Sequence, residues 1–373
     1  PELRLRAPVL KVLEPNFADN VSVDQDLAVR WSVDLKGSGY TRASVLGAGN
    51  RVYTASNGHL FEVDALTGRV RNSLLVTGDL AELGSYETRL AIAGNLVFAG
   101  VHGRVYAVPV GGGRFDSVWK TTLPGANGTV VEVLAVHGRV FAGAHGYLYE
   151  IDPHDGAVLR SVQLGSRFGQ GDYTMRLAVA GPTLVAGTHG RVYGIALADF
   201  STAWELGLPD AGYQRVDVLA GAGRLFAASN GLAYRIDPAT GALRNQLRVA
   251  GLLGTGDYTT SLAANARQLF VGTHGHVYAI DLTDWAQPAW TAELAGDRHS
   301  LPSLVATDDQ LLAGSYGHVF RIDPATGVVQ RSTMVTPGVG VGDYETRLAF
   351  DTAADEVYAG THGYAYKLAS VSV

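Results

Sequence analysis

The sequence contains no cysteine. Disulfides, thiol nucleophiles and cysteine-based metal sites are excluded together. Charge is sparse as well: 17% of residues are Asp, Glu, Lys or Arg, and the formal net charge is −6. No run of Lys or Arg forms a basic stripe, so no nucleic-acid partner is expected. No apolar stretch approaches the roughly 20 residues of a membrane-spanning helix, and no membrane span is expected. The opening Pro1-Glu2-Leu3-Arg4 is not followed by the apolar core of a secretory leader. No segment carries a sustained helical period.

Glycine and apolar residues are abundant. The 373 residues include 47 glycines, and 47% of the chain is hydrophobic. That mixture reads as many short strands joined by tight turns.

An internal repeat organises these strands. Four segments share a loop and an apolar strand: Gly84-Ser85-Tyr86-Glu87-Thr88-Arg89, Gly171-Asp172-Tyr173-Thr174-Met175-Arg176, Gly256-Asp257-Tyr258-Thr259-Thr260-Ser261 and Gly342-Asp343-Tyr344-Glu345-Thr346-Arg347. Each leads to a His-Gly turn, at His102, His189, His274 and His362, with spacings of 87, 85 and 88 residues. Between these turns lie Asn57-Gly58, His145-Gly146, Asn230-Gly231 and Tyr316-Gly317. The true unit is therefore half as long, 41 to 46 residues, and it occurs eight times.

One unit shows the pattern. Val131–Val136 and Val140–Gly143 are apolar strands. Tyr147–Ile151 is a third, rich in residues suited to a pleated surface. Asp152-Pro153-His154-Asp155-Gly156 is a turn, with proline fixing φ and glycine supplying positive φ. Val158–Val162 is a fourth strand. Four antiparallel strands in such a unit make one propeller blade. The fold class expected is all-β, an eight-bladed β-propeller of four-stranded antiparallel blades.

A tryptophan opens the fourth strand of every second unit, at Trp119, Trp204 and Trp290. A further copy, Trp31-Ser32-Val33-Asp34-Leu35, precedes the first unit, and the last unit stops after its third strand. The N-terminal strand is therefore expected to complete the last blade and close the ring. Residues 1–30 are read as an extension and 31–373 as one propeller domain.

The segments Asn-Gly-Leu-Ala-Tyr-Arg-Ile-Asp-Pro-Ala-Thr-Gly at 230–241 and Tyr-Gly-His-Val-Phe-Arg-Ile-Asp-Pro-Ala-Thr-Gly at 316–327 resemble the pyrroloquinoline-quinone-type propeller repeat. With the Trp strands, the resemblance covers roughly residues 31–373. Enzymes of that family imply a bound quinone, a calcium ion held by Glu, Asn and Asp, and often a vicinal disulfide. This chain has no cysteine, and none of its residues matches the quinone site. A non-quinone member is implied, with no cofactor and no metal expected. Non-enzymatic members include scaffold proteins of outer-membrane assembly, which implies an extracytoplasmic or secreted location.

Candidate site residues follow from blade geometry. The loop leading into the innermost strand and the turn between the second and third strands share one face of the disc. His102, His145, His189, His274 and His362 would form a broken ring there. They either hold tight turns or act as ligands, acids or bases. Tyr86, Tyr173, Tyr258 and Tyr344 would stand near the channel mouth with Tyr40 and Tyr213. Together with Asp172, Asp257 and Asp343 they either seal the blade gaps or bind sugars by stacking and hydroxyl recognition. A column at the innermost strand reads Ser44, Arg89, Glu132, Arg176, Asp217, Ser261, Ser303 and Arg347. Its alternating signs predict an ion-pair belt between blades. Alternatively Arg89, Arg176 or Arg347 binds a carboxylate or sulfate, and the serines of blades six and seven leave a gap for a ligand. The loop Asp297-Arg298-His299-Ser300-Leu301-Pro302 departs from the array.

These features suit a non-enzymatic binding or scaffold propeller that presents one face to a glycan or protein. The alternative is a polysaccharide lyase using His, Tyr and Arg of that face, since such a reaction needs a base and a cation. A quinone-dependent dehydrogenase is the third reading.

Overall fold

The computed structural model describes residues 27–37, 42–77, 87–111, 114–165, 174–250, 259–295, 300–336, 345–351 and 354–369. These residues form eight four-stranded antiparallel sheets around a common axis. The innermost strands, in blade order 1 to 8, are Ser44–Ala48, Arg89–Ala93, Glu132–Val136, Arg176–Ala180, Asp217–Gly221, Ser261–Ala264, Ser303–Ala306 and Arg347–Asp351. Each packs against the innermost strand of the next blade, and blade 8 packs against blade 1.

In blade 3 the strands are Glu132–Val136, Arg139–Ala144, Tyr147–Ile151 and Val158–Gln163. They agree with the sequence reading to within a residue at most ends. The second and third strands are buried almost throughout, while the fourth alternates half-buried and exposed. Both faces of the middle strands are covered by neighbouring blades, so they read as continuous apolar runs. The core is therefore distributed over the seams between blades. One seam brings Phe98 and Val105 of blade 2 against Val133 and Tyr149 of blade 3.

Ring closure follows the sequence reading. Val29–Asp34 pairs with Tyr364–Leu368, setting Trp31 opposite Lys367 and Ser32 opposite Tyr366. Trp31 and Trp204 are the third residues of their strands, whereas Trp119 and Trp290 are the first. All four indoles reach into the following blade. Their Nε1–H groups donate to Ala65 O at 2.9 Å, Pro153 O at 3.0 Å, Pro238 O at 3.1 Å and Pro324 O at 2.9 Å. This docking occurs at every second seam and gives the array its two-blade period. Of the expected extension, residues 1–26 lie outside the described residues.

A candidate binding face around the central channel

The turns between second and third strands share a face with the segments leading into the innermost strands. Gly103 N donates to Thr129 O at 2.8 Å, Gly190 N to Gln214 O at 2.9 Å and Gly275 N to Ser300 O at 3.0 Å. In each case the turn of one blade holds the lead-in of the next.

The histidines belong to these turns. His102, His145 and His274 have φ of 48°, 46° and 47°, and the glycine after each also has positive φ. Asn57, Asn230 and Tyr316 occupy the same conformation in other blades. This is the geometry of a two-residue hairpin turn matched to strand twist. All five ring histidines are half-buried. Burial, then the charge of Arg104, holds His102 below the usual imidazole range. Burial, then Arg42, does the same for His362. Among the described residues no three His, Asp or Glu side chains come together as a metal site. Tyr86, Tyr173, Tyr258, Tyr344, Asp172, Asp257 and Asp343 lie outside the described residues, as do Tyr40 and His299.

The alternating column forms the expected belt. Each of its eight residues is the first of an innermost strand. Glu132 Oε2 receives Arg176 Nη1 at 2.8 Å and faces Arg89 Nε at 3.5 Å. Arg176 Nε also faces Asp217 Oδ1 at 3.7 Å. The serine positions continue the stitching with hydroxyls. Arg347 Nη1 donates to Ser44 Oγ at 3.0 Å, Ser261 Oγ donates to Pro302 O at 2.5 Å, and Ser303 Oγ accepts Leu348 N–H at 3.1 Å. The serines of blades 6 and 7 thus connect successive blades.

A second charged tier lies two residues before the column, and the sequence reading assigned it no role. Glu87 takes Arg347 Nη2 at 2.5 Å and also pairs with Arg89. Glu345 takes Arg42 Nε at 2.9 Å and Arg347 Nε at 3.4 Å. Arg215 occupies the same position in blade 5. The signal was available: both glutamates stand within the quoted repeat segments, two residues before an arginine.

These contacts set the ionisation of the channel. Burial alone would raise the Glu345 carboxyl, but Arg347 and Arg42 bring it down to about 2. Glu87 behaves alike, with Arg347 and Arg89 holding it well below the usual carboxylate range. Burial and the like charges of Arg176 and Arg347 push Arg89 down to about 9, against Glu87 and Glu132. Burial would also depress Arg347, yet Glu345 and Glu87 override it and hold the guanidinium above its ordinary range.

Column residues from all eight blades line a central cavity of about 160 Å³, together with Arg215, Thr260 and Glu345. The quinone and calcium of the resemblance do not fit it. The volume falls short of the roughly 300 Å³ at which pockets for drug-sized ligands begin. Among the described residues no asparagine lines it, and Glu132, Asp217 and Glu345 already face arginines.

The lead-in to blade 5 is a buttressed loop. Tyr234 Oη donates to Pro209 O at 2.5 Å, Asn230 Nδ2 donates to Asp210 O at 3.1 Å, and Gly190 N holds Gln214 O. Its Tyr213 is 88% exposed. The equivalent position in blade 3 is Gly128.

The architecture and repeat define a class: an eight-bladed propeller of pyrroloquinoline-quinone-type repeats. A family model described as outer membrane protein assembly factor BamB matches residues 20–162, 116–333 and 188–370. The chain belongs to that family. Among solved structures it is similar to BamB from Moraxella catarrhalis, at 15% identity and TM-score 0.68, covering 92% of this chain and 99% of that one. It is also similar to the quinohemoprotein alcohol dehydrogenase of Comamonas testosteroni, at 12% identity and TM-score 0.69, covering 92% and 76%. Sqt1 of Saccharomyces cerevisiae gives 15% and 0.68, covering 93% and 100%. No curated protein sequence matches the chain.

Proposed function

We propose that this chain is a non-enzymatic, extracytoplasmic scaffold propeller that docks a protein partner on the face bearing the His-Gly turns. The observation that carries this reading is Tyr213, 88% exposed on a loop fixed by both adjacent blades. A rigid aromatic at a surface is an effective anchor, because it gains contact area with little loss of side-chain freedom. The family's description names an assembly factor, which accords with a binding role.

The glycan and lyase readings have less behind them. The Gly-Asp-Tyr loops they rely on lie outside the described residues. Arg89, Arg176 and Arg347 are engaged by Glu87, Glu132 and Glu345 within the channel, so they are not displayed beside the histidines as a lyase would need.

The test is site-specific photo-crosslinking in cells of the native host. A crosslinker replaces Tyr213, and another replaces Leu66, which is 84% exposed on the opposite face. One discrete protein adduct at 213 and none at 66 is the expected result. Equal labelling from both positions, or adducts from 66 alone, would remove the proposal.

A further inference from the structure

Blades 1 and 5 stand opposite each other, and the same pattern leads into both: Tyr40-Thr41-Arg42 and Tyr213-Gln214-Arg215. The two arginines have different surroundings. Arg42 lies between Glu345 at 2.9 Å and Glu87 at 3.8 Å, contributed by the blades on either side. The equivalent flanks of Arg215, in blades 4 and 6, are Thr174 and Thr259. The Arg215 side chain makes no hydrogen bond or ion pair among the described residues. Asp217, two residues further on at the start of the innermost strand, is engaged by Leu262 N–H at 3.0 Å and by Arg176 at 3.7 Å. Burial and the like charge of Arg176 outweigh the charges of Glu345, Glu87 and Asp217 and hold the Arg215 guanidinium below the ordinary arginine range, in keeping with a cation that no carboxylate contacts directly.

A second polar group in the same wall is unsatisfied. Thr260 is 3% exposed, and its Oγ1 has no hydrogen-bond partner among the described residues. At the equivalent position of blades 2 and 8, Thr88 and Thr346 use this oxygen structurally. They accept the turn N–H of Gly58 at 3.1 Å and of Gly317 at 2.8 Å. Thr260 makes no such bond. A buried hydroxyl and a largely buried guanidinium left without hydrogen bonds are costly unless something else satisfies them.

We propose that Arg215 and Thr260 form a carboxylate-binding site in the blade 5–6 wall of the channel, for a small organic acid or the free C-terminus of a peptide. A guanidinium offers paired donors that match a carboxylate, and a hydroxyl supplies a third. Among the described residues, five arginines around the channel (Arg42, Arg89, Arg176, Arg215 and Arg347) face four carboxylates (Glu87, Glu132, Asp217 and Glu345). A bound carboxylate would supply the missing negative charge. A cavity of about 160 Å³ suits an anion between acetate and succinate in size. The site stands whether or not the outer face docks a protein.

Thermal unfolding is followed with acetate, succinate and a pentapeptide in free-acid and amidated forms, each against equal chloride. A saturable rise in Tm of several degrees is expected for wild type, absent in Arg215→Gln and weakened about tenfold in apparent affinity in Thr260→Val. Arg215→Gln should fold and match or exceed wild-type Tm without anion, since the Arg215 side chain makes no hydrogen bond or close ion pair among the described residues. A response to succinate assigns the site to small acids. A response to the free-acid peptide, with none to the amidated form or to succinate, assigns it to a peptide terminus. No saturable response to any of the four, or equal responses in Arg215→Gln, overturns the proposal.

Discussion

Gly241 lies flat against the indole of Trp204: a Cβ on that glycine would stand 2.6 Å from ring atoms Cδ2 and Cε3. The two residues belong to consecutive blades, and the contact recurs as Gly68 on Trp31, Gly156 on Trp119 and Gly327 on Trp290. Gly241 also has a φ of +71°. Gly241→Ala should therefore cost about 2 to 4 kcal/mol, roughly 1 from the left-handed backbone and the rest from overpacking. Gly138 is the control, with a φ of +75° and nothing within 4 Å of its added Cβ. Gly138→Ala should cost only about 1 kcal/mol. Urea unfolding midpoints measure both, and equal losses would refute the docking role of the ring.

The charged tiers make a second contrast. Glu87 is shared by Arg42, Arg89 and Arg347. Neutralising it leaves three guanidinium groups with only Glu345 and Glu132 to balance them, so Glu87→Gln should cost about 3 kcal/mol. Glu205 pairs with Arg191 at the surface, where the side chains are 40% and 54% exposed. Glu205→Gln should change stability by at most about 1 kcal/mol. Comparable losses in the two variants, in the same urea experiment, would show that the belt contributes no more than a surface pair.

Blade number, strand positions and ring closure were legible because each has a local signature. Turns such as His102-Gly103 and Asp152-Pro153 fix the strand ends, and the displaced Trp31 strand reveals the missing fourth strand. The column from Ser44 to Arg347 was legible because its alternating signs repeat at blade spacing. The second tier was harder to read. Its members Arg42, Glu87, Arg215 and Glu345 are interspersed irregularly with Val130, Thr174, Thr259 and Leu301, so no periodic charge pattern marks it. Whether a given arginine is paired depends on its neighbours across the seam. That is why Arg42 and Arg215, alike in sequence context, differ in structure.

Acid should unfold the protein through the same carboxylates. An unfolded Glu titrates near 4.3, whereas Glu345 in the fold is held down to about 2 and Glu87 well below its usual range. At Asp237 of the surface turn, hydrogen bonds from Arg244 and Ala239 N–H bring the carboxyl to about 2. A depressed carboxyl stabilises the fold above its unfolded pKa, and that contribution is lost as pH falls through the folded value. Stability should thus be level in this respect above about pH 5 and decline from about 4.5 toward 2. Urea midpoints at pH 7, 4 and 2.5 test this. In Glu345→Gln the decline should be shallower from a lower starting point. An unchanged acid limb in that variant would shift the burden to other carboxylates.

Ring closure yields the last prediction. Removing the strand Val29–Asp34 strips the outer edge from Tyr364–Leu368. It also withdraws Trp31, 9% exposed, from its place over Gly68 and its bond to Ala65 O. An uncovered strand edge is a template for pairing with another chain. The truncated protein should associate into larger species at concentrations where the intact chain does not, as read by light scattering. A synthetic peptide spanning residues 27–37 should reverse this by refilling the edge, while the same peptide with proline at Ser32 should fail, because proline removes a ladder N–H. Association that persists with the native peptide would mean that the open edge is not its cause. A truncated chain that stays monomeric would mean that seven complete blades hold the eighth without its outer strand.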